Sequence, residues 1–192
     1  MTIPATLGTT ATVDGEHAHA LRRLGAGMCC AVAIGGALAE IALAWVWLFP
    51  DYVTAYVVPH LGLGGASVSM DGVTRALGFA VSMLPLSVLI YALHQAYELF
   101  DGYRLGRILN AGAPVRLRRI GFAMLALALL RPLANTLLGL VLTASNPEGQ
   151  RILAIQLSID DYMIAIFGGL ILAIGHAMAE AARIADDHRQ IV

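Results

Sequence analysis

The chain has 192 residues and a formal net charge of -1. Only 13% of its residues are charged and 58% are hydrophobic, giving a mean hydropathy of +0.74, too apolar for an ordinary soluble domain of this length. A near-neutral charge also gives no electrostatic reason to expect direct binding of nucleic acid.

Residues 1–20 are small and polar with no apolar period, and are expected to form a disordered tail. The remainder, 21–192, is expected to form a single four-helix transmembrane domain. The apolar stretches 24–49, 76–91, 120–142 and 163–182 supply the helices, since a hydrocarbon core takes roughly 20 residues of helix. The second is the shortest and is expected to continue through His94 toward Phe100. The first run is too long for the apolar part of a cleaved signal and no small-residue cleavage site closes it, so it is read as a retained helix. Cys29 and Cys30 are adjacent on this helix and offer neither a disulfide framework nor a metal-ligand spacing.

Arginine alone carries the positive side-chain charge, because the chain has no lysine. Arg22 and Arg23 precede the first helix, and Arg104, Arg107, Arg116, Arg118 and Arg119 occupy the connection after the second. Arg183 and Arg189 follow the fourth, whereas the two other connections hold only Arg75 and Arg151. Positive residues are retained on the cytoplasmic side, which predicts cytoplasmic termini and a cytoplasmic middle connection. The fold class is therefore an all-α integral membrane four-helix bundle with both termini cytoplasmic. Trp45 and Trp47, followed by Tyr52 and Tyr56, are expected at the outer headgroup level.

Ends of the later helices carry local signals. Gly102, Gly106, Gly112 and Pro114 break the chain in the middle connection, and Pro114 suits the first turn of the third helix. Ser158 followed by Asp161 has the spacing of a capping box at the outer start of the fourth, where Asp160 and Asp161 also face the positive end of the helix dipole.

Within the spans, Glu40, Arg131, Asn135 and His176 form an expected intramembrane polar cluster, because each lies in register with small residues that favour helix packing in lipid. Gly36, Glu40 and Ala44 align on the first helix, Ala128, Arg131, Asn135 and Gly139 on the third, and Gly168, Leu172 and His176 on the fourth. Arg131 is placed near the midplane with Glu40 as its expected partner, beside the carbonyl of Ala128 that Pro132 leaves free. His94 and His176 raise the question of a haem held by two imidazoles. Interhelical hydrogen bonds account for them more simply, with His176 donating to Glu40 or to a freed carbonyl, and no cofactor, metal site or catalytic group is expected.

After Gly175 the fourth helix is expected to extend into the cytosol. Glu180, Arg183, Asp186, Asp187 and Arg189 alternate in sign at helical spacing, and this extension is the expected contact for a soluble partner.

Two stretches carry a resemblance to a known family. "LFDGYRLGRILNAGAPVRLRRIGFAML" (99–125) and "GHAMAEAARIADDHRQIV" (175–192) resemble the inner connection and closing segment of the bacterial membrane family catalogued as domain of unknown function 2975. The resemblance spans roughly 76–192, while the first helix is similar only in length and hydrophobicity. It implies a multi-pass protein of the bacterial inner membrane with no assigned reaction. It also implies an association with a helix-turn-helix transcription regulator, since family members often stand beside the gene for one.

Three function classes follow. The first is a membrane sensor or partner-binding protein, with the lipid bilayer, a helix-turn-helix regulator and a homo-oligomer as the expected contacts. The second is a small transporter or channel component using Glu40, Arg131, Asn135 and His176. An enzyme or redox carrier ranks last, for want of a catalytic motif.

Overall fold

The computed structural model describes residues 9–63, 68, 70–105, 112–144, 146 and 157–189, with side chains described within 22–184. Among these residues every regular element is helical. Long helices α1 (Thr9–Leu48), α4 (Gly72–Arg104), α5 (Ala113–Thr143) and α6 (Ile159–Arg189) are joined by connections, the first of which contains short helices α2 (Pro50–Tyr52) and α3 (Val58–His60) around a π-helical turn, Val53–Val57. Each long helix contains a stretch long and apolar enough to cross a membrane: Arg22–Leu48, Gly72–Arg104, Ala113–Thr143 and Ile159–Ile184. The all-α, four-span architecture expected from the apolar runs is thus present.

Helix α1 starts at Thr9, ahead of the membrane-length stretch that begins at Arg22. The sequence reading ended the structureless tail at residue 20. Once the apolar span has nucleated a helix, each further residue adds a hydrogen bond at little cost, and the Ala, Glu and Leu residues around Ala18–Leu21 propagate it well. Residues 1–8 lie outside the described residues.

The long helices pack in chain order, α1 on α4, α4 on α5 and α5 on α6, with no comparable contact between any other pair of long helices among the described residues. All three seams are antiparallel. A Cβ on Gly25, near the start of the membrane-length stretch of α1, would stand 2.8 Å from the backbone nitrogen of Arg104 at the end of α4. Trp47, at the other end of α1, lies over Gly78 in the first turns of α4. Arg116 in the first turn of α5 reaches Glu98 near the end of α4, and Gly121 meets Leu172 of α6. Both described termini and the α4–α5 connection therefore share one end of the molecule, called the terminal end below.

Glycine makes the α5–α6 seam close. Added Cβ atoms would stand 2.7 Å from Leu172 N at Gly121, 2.9 Å from Met124 Cβ at Gly168 and 2.9 Å from Arg118 N at Gly175. Lipid tails are as apolar as leucine, so van der Waals contact between closely approaching backbones supplies the association that hydrophobic burial supplies in water.

At the far end, Val53, Val58, Leu61 and Leu63 pack with Trp47 of α1 and with Leu138 and Leu142 of α5 into the main buried cluster. Gly62 ends α3 with φ 67°, donating to Pro59 O at 3.1 Å while Leu63 N donates to Val58 O at 3.2 Å. This pairing satisfies the last carbonyls of α3, and the left-handed backbone it demands favours glycine. The aromatic residues divide. Trp45, Phe49, Tyr52 and Tyr56 form an exposed ladder with ring centroids 4.7, 6.2 and 6.0 Å apart, as suits a headgroup belt. Trp47, expected in that belt, is instead 4% exposed and donates its indole N–H to Ser82 Oγ at 3.1 Å. The bare surface of Gly78 admits its ring, so this tryptophan is core.

Candidate functional site

Arg131 contacts Asp161, with Nη1 3.1 Å from Oδ1. The expected partnership with Glu40 is not formed. Helix α1 packs on α4, and α4 stands between it and α5, so a side chain at a suitable depth on α1 still has no route to Arg131. Asp161 lies in the first turn of α6, which places the ion pair where α6 begins rather than at a midplane cluster of α1 and α5.

The geometry around Asp161 follows from the helix start. Ser158 Oγ accepts the Asp160 N–H at 3.1 Å, and Asp161 Oδ2 accepts the Ser158 N–H at 3.1 Å. The reciprocal cap expected from the Ser158 and Asp161 spacing is present, with aspartate in the usual glutamate position and the serine bonded to the second helical N–H instead of the third. Capping leaves Oδ1 for Arg131. Asp161 is only 3% exposed, whereas the Arg131 side chain keeps 36% of its surface open. Oδ1 accepts no hydrogen bond of good geometry among the described residues, so the guanidinium offsets its charge without saturating it.

The other members of the expected cluster are not brought to this pair. Glu40 is exposed on α1, at the rim of a shallow groove of about 290 Å³ shared with Gly36, Ile90, Leu93, His94 and Tyr97. His176 is exposed on α6, and its Nδ1 is 2.9 Å from the Leu172 carbonyl one turn earlier. That contact stays within its own helix; it reaches neither Glu40 nor a carbonyl freed by proline. Asn135 is half-buried one turn beyond Arg131. Helical spacing put these residues in line with small neighbours, but a helix face wider than its seam leaves its flanks to lipid, and Glu40 and His176 occupy such flanks.

A second polar group lies at the terminal end, where Arg116 donates from Nε to Glu98 Oε2 at 3.1 Å and from Nη1 to the Glu98 carbonyl at 3.1 Å. His94 Nε2 is 3.6 Å from the other carboxylate oxygen of Glu98. Sequence reasoning missed Glu98, although its spacing of four from His94 on one helix was a usable signal. His94 and His176 stand on α4 and α6, which share no seam, so the two imidazoles are not presented to a common haem. Among the described residues no group of three or more His, Cys, Asp or Glu side chains could hold a metal ion.

Beyond Gly175, where α6 meets Arg118, the helix continues unbroken to Arg189. Glu180, Ala181, Ala182, Arg183 and Ile184 are all exposed, with Arg183 Nη2 2.6 Å from Glu180 Oε1. The side chains of Asp186, Asp187 and Arg189, the remaining expected partner contacts, lie outside the described residues.

Four membrane-length helices joined by glycine seams, with polar groups at both ends of the row, define a multi-pass membrane protein. The family described as protein of unknown function (DUF2975) matches residues 69–192, and the chain belongs to it. The match covers α4, α5 and α6; α1 and the α2–α3 segment precede it. No curated protein and no solved structure matches the chain significantly.

Proposed function

We propose that this protein is a partner-binding component of a bacterial inner membrane, with the terminal end in the cytoplasm and α6 as the element that meets a soluble helix-turn-helix transcription regulator. The observation that carries this reading is the unbroken passage of α6 from its glycine seam with α5 through the exposed residues 180–184 and on, as helix, to Arg189. A helix continuous from the bilayer outward moves as one rod, so a shift at the α5–α6 seam is carried to its tip. The Glu180–Arg183 pair presents both signs of charge on that rod, which suits a polar, reversible contact. The family resemblance supplies the class of partner.

Co-expression with a helix-turn-helix regulator, taken from the neighbouring genes where one is encoded there, tests the reading. The full chain should retain the regulator through detergent purification, and a chain ending at Ala179 should insert into the membrane equally well and release it. Equal retention by the truncated chain contradicts the proposal.

A further inference from the structure

A groove of about 670 Å³ runs between α5 and α6 at the start of α6, within the roughly 300–1,000 Å³ of small-molecule sites. Its walls are apolar, with Leu125, Leu129, Leu157, Tyr162 and Ala165 among them, and its polar residues are Ser158 and Asp161. Leu129, Leu157 and Tyr162 are exposed, so the groove opens to the surroundings of the helices and not into a sealed core. In a bilayer those surroundings supply alkyl chains.

Asp161 makes this more than a crease between helices. It is 97% buried, yet Oδ1 accepts no hydrogen bond among the described residues, a condition that native structures rarely leave uncorrected. Its other oxygen is committed to the Ser158 N–H, and Ser158 Oγ to the Asp160 N–H. Oδ1 faces Arg131 Nη1 at 3.1 Å without accepting a hydrogen bond of good geometry, so it keeps the capacity for a second, better-aligned donor. Among the described residues at this helix start, two carboxylates, exposed Asp160 and buried Asp161, stand against one guanidinium, Arg131, a balance that favours a cationic donor over a neutral or anionic one.

We propose that this groove binds an alkyl-chain amphiphile carrying a primary ammonium, with the chain along Leu125 and Leu129 and the ammonium donating to Asp161 Oδ1. Such a ligand satisfies the carboxylate oxygen, restores charge balance and covers the apolar walls. The site lies at the opposite end of α6 from the proposed partner contact and stands independently of it.

Two sources carry this chemistry, an ethanolamine phospholipid of the bilayer and a soluble alkylamine. Titration of the purified full chain by native mass spectrometry separates them, with phosphatidylethanolamine, phosphatidylcholine, phosphatidylglycerol, decylamine and decyltrimethylammonium as probes. The expected result is a preference of about tenfold or more for a primary amine over its trimethylated counterpart, the size of a lost hydrogen bond to a charged group. A preference within the phospholipids identifies the bilayer as source, and one within the decyl compounds alone identifies a soluble amine. Asp161→Asn should abolish the preference. Ala165→Phe fills the groove while leaving both charged groups in the chain and should weaken binding of the amine, which keeps the test decisive where Asp161→Asn does not fold. Equal binding of primary and trimethylated amines, stronger binding of phosphatidylglycerol, or amine binding of unchanged strength in Ala165→Phe overturns the proposal.

Discussion

Arg131 and Glu40 show how differently two intramembrane charges can be housed. The arginine is held by a buried carboxylate on the neighbouring helix, whereas the glutamate lies on the open side of α1. Removing one partner of the first pair should therefore cost stability. Arg131→Ala is expected to lose about 1–3 kcal/mol, less than for a fully buried pair because the arginine side chain is one-third exposed. In thermal unfolding in detergent, Arg131→Ala and Asp161→Asn should fall short of additivity when combined, while Arg131→Ala and Glu40→Gln should add. Additivity of the first combination would show that the carboxylate does not hold the arginine. Glu40→Gln alone should stay within about 0.5 kcal/mol of the parent, as befits a site away from the packed seams.

The capping box at Ser158 and Asp161 was legible in the sequence because every contact in it is local, spanning three residues. Arg131 was legible as a residue needing a partner, but the partner was not. Helical periodicity gives direction around an axis and approximate depth along it; it does not say which helices are neighbours. Glu40 satisfied depth and charge and failed on adjacency, since among the described residues the seam of α1 with a long helix is with α4. Trp47 was misassigned for a related reason: its place over Gly78 depends on a tertiary contact that no local pattern announces.

At the scale of the elements, glycine position separates seams from open faces. Gly121 and Gly168 meet backbone across the α5–α6 contact, while nothing lies within 4 Å of where a Cβ would stand at the adjacent Gly169. Gly121→Ala has to push α6 away and should destabilise by about 1–3 kcal/mol. Gly169→Ala should be neutral or stabilising by up to about 1 kcal/mol through helix propensity alone. On α1 the same contrast sets Gly25, 2.8 Å from Arg104 N, against Gly27, which faces open space. Melting temperatures of the four alanine variants check the pattern, and a destabilisation at Gly169 or Gly27 matching that at Gly121 or Gly25 would contradict these seams. The small-residue rows seen in the sequence pointed to packing faces in general, and Gly36 and Gly168 do lie in contacts. The α2–α3 segment was read only as a connection, because its buried residues become a core only when Leu138 and Leu142 of α5 reach them.

For the whole molecule, the sequential row leaves α1 with a single long-helix neighbour and places both described termini at one end. That antiparallel order groups the helix ends by side, and the proposed cytoplasmic direction rests on the arginine distribution. In the sequence nine arginines fall before the first span, around the second long connection or after the fourth span (22, 23, 104, 107, 116, 118, 119, 183 and 189), against Arg75 and Arg151 around the other two connections. Everything proposed for α6 depends on this arrangement: a tip in the cytoplasm where a regulator is found, and a groove near the opposite headgroups. The most direct test is a set of reporter fusions at Gly112, Gly149 and Val192 in a bacterial host. The account predicts cytoplasmic signals at Gly112 and Val192 and an external signal at Gly149; a cytoplasmic signal at Gly149, or an external one at Val192, would contradict it.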